Sequence, residues 1–468
     1  MSVGRKSGKS SARKNVASSA QLLPEQNLRR IIDTVLRFAK TTGADETEVH
    51  VDETADSLTR FANNAIHQNV AERGLNVSIR TVVDSRTARA TTNRVDEDSL
   101  RAAIDASLSL AHSQPKDSHL LPMPAKQRYR RVNRLMKDTA ALTPEDRARA
   151  VRRACDLAIQ NGQVAAGIFA SGLQQSAMGN SRGLFAAYNE AHAEFSITMQ
   201  ETPAASWAKA NAASVRDFDP QKLALRASQK AHMAVDAREL APGRYTVILE
   251  PAAVLDLVGF LFYDFAATAL QDKRSCLNKR MGKQLFGKNI TIRDDAYHPL
   301  QLGAPFDGEG MPRQQILLVD RGVPKNLVYS RSSAKAAGKK STGHGFALPN
   351  EYGEAPMNLV FAGGDSSLEK MLASTGRGLL VTRLWYIREV DPYEKVMTGM
   401  TRDGLFLVEN GKVTTAVRNF RFNQSILEML RNVELLGPAV RATGEEAFEM
   451  VVPAMKVREF HFSEVTKF

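Results

Sequence analysis

Nine histidines are the first residues to question for metal chemistry: His50, His67, His112, His119, His192, His232, His298, His344 and His461. A zinc peptidase sets two imidazoles on one helical face with a carboxylate beside the bound water, and the spacing H-E-x-x-H or a longer variant supplies that. No histidine here is followed by Glu, so the sequence contains neither form. Glu190, His192 and Glu194 alternate onto one strand face and could chelate a cation, although an exposed polar strand face explains the same alternation and is the preferred reading. Asp294 and Asp295, with Asp307 and Glu309 in the stretch Phe306-Asp307-Gly308-Glu309-Gly310, form an acidic group near His298. Hard cations take such carboxylates. Asp and Gly are equally the residues of turns, and the turn reading is preferred.

Gly179-Asn180-Ser181-Arg182-Gly183 fits G-x-S-x-G, but a nucleophile elbow needs a helix after it and β pattern follows here. The stretch reads as a hairpin turn, and Ser181 is not taken as a nucleophile. Two segments mimic phosphate loops. Gly4 to Ser10 has too few residues between its glycines, and Gly338-Lys339-Lys340-Ser341 has Ser333 where the first glycine belongs. Cys155 and Cys276 are too few for a disulfide framework.

These residues must be positioned by a mixture of helices and strands. An amphipathic helix is predicted from Glu25, with Leu28, Ile31, Ile32, Val35 and Leu36 on one face and Gly43 as its stop. Short β patterns follow at Glu48–Val51, Leu75–Ile79 and Thr87–Thr92, then a helix through Leu100 and Leu108. Thr143-Pro144 caps a third helix. Long strands are expected over Ile168–Met178 and Leu184–Met199, and a helix over Gln221–Val235. Beyond Pro242-Gly243 come a strand at Tyr245–Leu249, an apolar helix at Ala252–Leu270, a helix opened by a capping box Ser366-x-x-Glu369, and a hairpin from Gly404 to Val417 turning at Asn410-Gly411. The fold class is therefore α+β: a tail over 1–22, an N-terminal α/β domain over 23–240 and a mainly β domain over 241–468.

Of the net charge of +12, five come from the tail, where Arg5, Lys6, Lys9, Arg13 and Lys14 meet no acid before Glu25. Such a segment is expected to be disordered, with at most non-specific DNA contact. The greasiest region, Val254 to Leu270, is broken by Asp256 and Asp264, and no signal-like apolar run opens the chain. A cytoplasmic protein away from membranes is expected.

Several stretches occur in an order that resembles the TldD/PmbA family, also called modulators of DNA gyrase: Pro242 to Ala252, Phe306 to Gly310, Ser341-Thr342-Gly343-His344-Gly345, Gly378 to Thr382, and Val408-Glu409-Asn410-Gly411-Lys412. Thr59 to Asn64 with Ile66 and His67 agrees with them, and the similarity runs from about Asn27 to Val457. Leu384 to Arg388 and Thr398 to Gly404 depart from the familiar pattern. The resemblance implies a two-subunit metallopeptidase in which the TldD-type chain holds the metal with an H-E-x-x-x-H helix and a downstream cysteine. The PmbA-type chain, also called TldE, lacks them. Here the corresponding helix, Ala252–Leu270, has no His or Glu, and no cysteine follows Thr342. This chain is similar to the PmbA side: a non-catalytic subunit without a cofactor or metal ligand of its own, completing the chamber for an unstructured peptide beside a TldD-like partner that carries the zinc. Arg402 and Asp403, at the entrance of the Gly404–Val417 hairpin, are the charged residues placed nearest such a chamber. The competing readings are a DNA- or topoisomerase-associated binding protein and a self-sufficient hydrolase.

Overall fold

The computed structural model describes residues 22–466. The basic tail expected over 1–22, with its DNA contact, lies outside the described residues except for Leu22. The chain is α+β and is built on two sheets.

The first sheet takes its six antiparallel strands from β1 (Glu46–Ala62), β2 (Ala65–Val83), β3 (Arg86–Thr92), β4 (Val164–Asn180), β5 (Phe185–Glu201) and β6 (Ala204–Ala212), in the order β3-β2-β1-β4-β5-β6. Helices α1 (Glu25–Ala39), α2 (Glu97–Ser113), α3 (Lys137–Ala140), α4 (Pro144–Gln160) and α5 (Pro220–Met233) accompany it. Leu28, Ile32 and Val35 of α1 pack with Leu100 and Ile104 of α2 on Val49, Val51, Val77 and Ile79 of the sheet. Val151, Ala154 and Ala158 of α4 join Ala224 and Ala227 of α5 on Phe169, Phe195 and Ile197. Each Val, Leu, Ile or Phe among them contributes about 1.5–3 kcal/mol when fully buried. Thr143 caps α4 through a capping box with Asp146, and Asn63 and Asn64, both at positive φ, make the tight turn between β1 and β2. The apolar face of the sheet is thus spent on helices. Its other face is free to be polar, as antiparallel sheets allow.

The second sheet has eleven strands. Strand β7 (Gly243–Leu249) pairs with Arg377–Asp391, which pairs with Val396–Glu409, then Phe420–Ser425, then Met450–Val465. Met450–Val465 pairs back onto β7, so these five strands close a ring. Leu249, Val381, Leu405, Phe420, Phe422, Val457 and Phe462 belong to one large core with the helix α6 (Pro251–Val258). The expected hairpin is present: Val396–Glu409 turns at Asn410 (φ 49°) and Gly411 (φ 80°) into Lys412–Ala416.

Two expectations are corrected. The single helix predicted over Ala252–Leu270 is broken: α6 stops at Val258, a 3-10 segment runs through Gly259–Phe265, and a short helix follows at Ala267–Gln271. Gly259 favours the break, because it lacks helix propensity and presses so closely on Ala447 that a Cβ would come within 2.4 Å of the alanine's Cβ. Asp264 then turns its carboxylate to the Cys276 amide at 2.7 Å. The capping box at Ser366 is also displaced. The Ser366 amide donates to the Leu436 carbonyl, so the helix begins one residue later, with Ser367 accepting from the Lys370 amide at 3.2 Å.

Candidate functional site

The polar face of the first sheet meets the second sheet across a cavity of about 440 Å³. On one side Glu190, His192 and Glu194 of β5 and Asn211 of β6 point into it; on the other stand Gln301, Gly303, Arg441, Phe448 and Glu449. Glu194 and Asn211 are directly opposite in the β5–β6 register, and Gly172 of β4 lies opposite His192. A Cβ at Gly172 would fall 2.4 Å from the His192 Cε1 and 2.0 Å from the Asp56 Oδ1, so this glycine lets the imidazole lie across β4 towards Asp56, 3.6 Å away. His192 consequently lines a further cavity of about 300 Å³ that continues over β1 and β2 past Asp56, Arg60 and Glu72.

The walls are cross-wired. Tyr188 and the Gly303 amide both donate to Glu190 Oε2, at 2.7 and 2.8 Å. Burial and the Glu190 charge push the Tyr188 phenol up, which keeps it a donor. Arg441 donates to Asn211 Oδ1 at 3.0 Å and lies 3.9 Å from Glu449, while Lys209 stands 3.4 Å from Glu194. Carboxylates and cations thus alternate around the opening. Among the described residues no three of His, Cys, Asp and Glu are grouped to hold a metal ion, and Glu190, His192 and Glu194 share a strand face as the alternation predicts.

Beside this chamber is a recess of about 320 Å³ lined by Gly259, Phe260, Phe262 and Glu445–Phe448, and Phe448 belongs to both. Phe262 meets Phe448 edge to face at 5.4 Å. The segment forming their shared wall is held from below by Asp256 of α6, which is fully buried. Its Oδ1 accepts the Glu445 and Glu446 amides at 3.2 and 3.0 Å, and Oδ2 has no partner. Gly444 is required here, since a Cβ would lie 2.1 Å from that Oδ1. Burial outweighs the two amides and pushes the Asp256 carboxyl up to about 7.

Arg402 and Asp403 sit where β6 meets Val396–Glu409. Arg402 is half exposed, its guanidinium 4.7 Å above the Trp385 ring. Asp403 is partly buried and takes the Arg383 Nε at 2.7 Å, with the Arg383 Nη2 on the same oxygen. Arg383 lies 4.8 Å from the Trp207 ring and 5.6 Å from Trp385, and its charge reaches Asp256. Arg383 and Arg441 were not singled out by sequence, and Asp256 was noted only as a break in the apolar run, not as a site residue. A charged residue inside an apolar run, as in Leu380-Val381-Thr382-Arg383-Leu384 or Val254-Leu255-Asp256-Leu257-Val258, is the signal that marks the first two.

The remaining motifs fold as structure. Asn180 to Gly183 is the β4–β5 turn, with Ser181 Oγ accepting the Thr47 amide at 3.1 Å. The acidic group holds loops: Asp307 accepts the amides of Glu309, Met311 and Gly345, and Asp294 pairs with His344 at 2.9 Å rather than with His298. Burial pushes the Cys276 thiol up, out of the thiolate range. The arrangement can bind and orient a polar chain; its side chains are committed to one another rather than to a nucleophile.

Comparison with known proteins fits this geometry. Residues 242–464 match the PmbA/TldA metallopeptidase C-terminal domain and residues 48–111 match PmbA/TldA metallopeptidase domain 1. The chain is similar to the metalloprotease PmbA of Escherichia coli, 25% identical over 245 residues that make up 51% of either chain. A metalloprotease PmbA homolog of Haemophilus influenzae is 24% identical over 432 residues, 87% of this chain and 91% of that one. Several relatives are matched over only about half their length. The crystal structure of TldE from Thermococcus kodakarensis superposes with a TM-score of 0.84 at 21% identity, covering 92% of this chain and all of that one, which establishes the shared fold.

Proposed function

Because the chain belongs to the PmbA/TldD family of metallopeptidase-like proteins, we propose that it is the non-catalytic, TldE-like subunit of a two-chain peptidase, binding an extended peptide beside a metal-bearing partner. One juxtaposition carries the reading. A polar cleft of about 440 Å³ adjoins, through Phe448, a segment that contains no His or Glu from Pro251 to Gln271. That is a place to hold a chain without groups that bind and acidify a water. A peptide lying along β5 would find the Glu190 and Glu194 carboxylates and the Arg441 guanidinium within reach of its main-chain amides and carbonyls. Zinc, in this reading, belongs to an H-E-x-x-x-H partner.

The chain mixed with such a homologue is expected to cleave unstructured peptides at a rate neither protein reaches alone. Arg402→Ala and, separately, Asp403→Asn are expected to lower that rate several-fold while the complex keeps its metal, measured by mass spectrometry of the purified assembly. If the two proteins fail to co-purify, or if this chain alone retains one zinc and a chelator-sensitive peptidase activity, the subunit reading is lost. Should both variants cleave like the unmodified complex, Arg402 and Asp403 have no part in the chamber.

A further inference from the structure

The segment Gly338-Lys339-Lys340-Ser341, which fails as a phosphate loop in sequence, borders a groove of about 600 Å³ that shares no lining residue with the cleft. The helix Arg331–Ala336 places Arg331 and Lys335 four residues apart on one face. It ends in a turn in which the Gly338 amide returns to the Lys335 carbonyl at 3.2 Å and the Lys339 amide to the Ala334 carbonyl at 2.8 Å, with Gly338 at φ +62°. This closure brings Lys339 and Lys340 back beside the helix, so one short motif sets four cations along the groove. The opposite wall is less polar: Leu121 and Gln127 from the connection before α3, and Met311 with Pro312. Arg331 ties the two walls by donating to the Pro122 carbonyl, and Glu309 answers its charge at 3.7 Å. Among the described residues Lys335 and Lys340 have no ion pair, Lys339 has only the Tyr329 ring 5.2 Å away, and no carboxylate lines the groove.

We propose that this groove binds an extended peptide segment bearing consecutive carboxylates next to an apolar residue. Charge complementarity requires an anionic ligand. Phosphate is a poorer match, because the Gly338 and Lys339 amides that could cradle it are spent on the helix end. Single-stranded nucleic acid is poorer too: among the described residues the aromatic ring against these lysines is Tyr329, which is 8% exposed and offers no face for a base. Carboxylates ask only for the mobile ammonium groups, and the Leu121, Met311 and Pro312 side receives the apolar residue. The inference does not depend on the peptidase reading.

The test is fluorescence anisotropy of the full chain with a fluorescein-labelled Glu-Glu-Glu-Leu peptide at about 0.1 M salt. Saturable binding is expected, weakening as salt is raised. Lys339→Glu with Lys340→Glu should weaken it by about tenfold or more, and Lys339→Gln with Lys340→Gln by less, both proteins keeping the circular dichroism and melting temperature of the wild type. Binding that is unaffected by the charge reversal, or absent at ~1 mM peptide, overturns the proposal. So does displacement of the peptide by inorganic phosphate or an oligonucleotide at lower concentration than by unlabelled peptide.

Discussion

Asp256 shows how one side chain can shape a cavity it does not line. Its carboxylate holds two consecutive amides of the wall shared by the chamber and the apolar recess, yet one oxygen is buried without a partner. An unfolded chain releases this proton near the ordinary carboxyl value of 3.8, whereas burial defers release in the folded protein to about 7. The folded state therefore binds more protons between those values. Stability from this group is full below about pH 4 and is lost as pH rises through about 7, by at most ~4 kcal/mol. Glu309, pushed up to about 7 chiefly by burial, acts with the same sign in the same window. Asp256→Asn keeps an acceptor for the amides and removes the titration. The melting temperature of the variant is expected to improve relative to wild type by several degrees between pH 5 and pH 8; a difference independent of pH means that Asp256 is already charged in the folded protein. Arg383 poses the complementary case, since its removal leaves Asp403 only Arg402, 3.8 Å away, as an ion-pair partner. Arg383→Ala should cost ~3–5 kcal/mol in urea unfolding, more than an exposed arginine such as Arg402.

The broken run from α6 to Gln271 is where local sequence and final structure part. A 3-10 stretch of seven residues is longer than the three or four usual for such turns, and it is the part of the run that lines the recess. Gly259→Ala would favour a continuous helix by propensity and simultaneously drive a methyl against Ala447. The contact should win, destabilising the protein by ~1–3 kcal/mol and displacing segment 444–449, visible as faster amide exchange at Glu445 and Glu446. Elements with local signals were legible: α1 by its apolar stripe, α4 by Thr143, the hairpin by Asn410-Gly411. The outer part of β2 was not, because residues 67–74, Val70 apart, are exposed on both faces and have no core to impose alternation. The site was half legible for a related reason. The period of β5 groups Glu190, His192 and Glu194 on one face, but nothing near them in sequence announces Arg441 or Glu449 opposite. The recess, likewise, depends on where α6 stops.

At the scale of the whole molecule the two sheets are joined by charge as much as by apolar packing. Lys230 of α5 donates to both oxygens of Glu250 at 2.8 Å and to Thr382, and Arg226 joins the same carboxylate at 2.6 Å. Ser206 of β6 donates to the Asp403 carbonyl. Both tryptophans of the chain, Trp207 and Trp385, flank Arg383 at this junction. Tryptophan emission therefore reports separation of the sheets, and far-ultraviolet circular dichroism reports loss of the strands themselves. With buried ion pairs crossing the junction, the two signals should follow one urea transition; an emission change that precedes the loss of dichroism means the sheets part before they unfold. The ring of five strands carries a consequence for synthesis. Val247 of β7 waits for Val457, roughly 200 residues later, to complete its pairing. At about 5–20 residues per second a ribosome leaves that edge open for ~10–40 s, long enough for a nascent chain to find other strands or a chaperone.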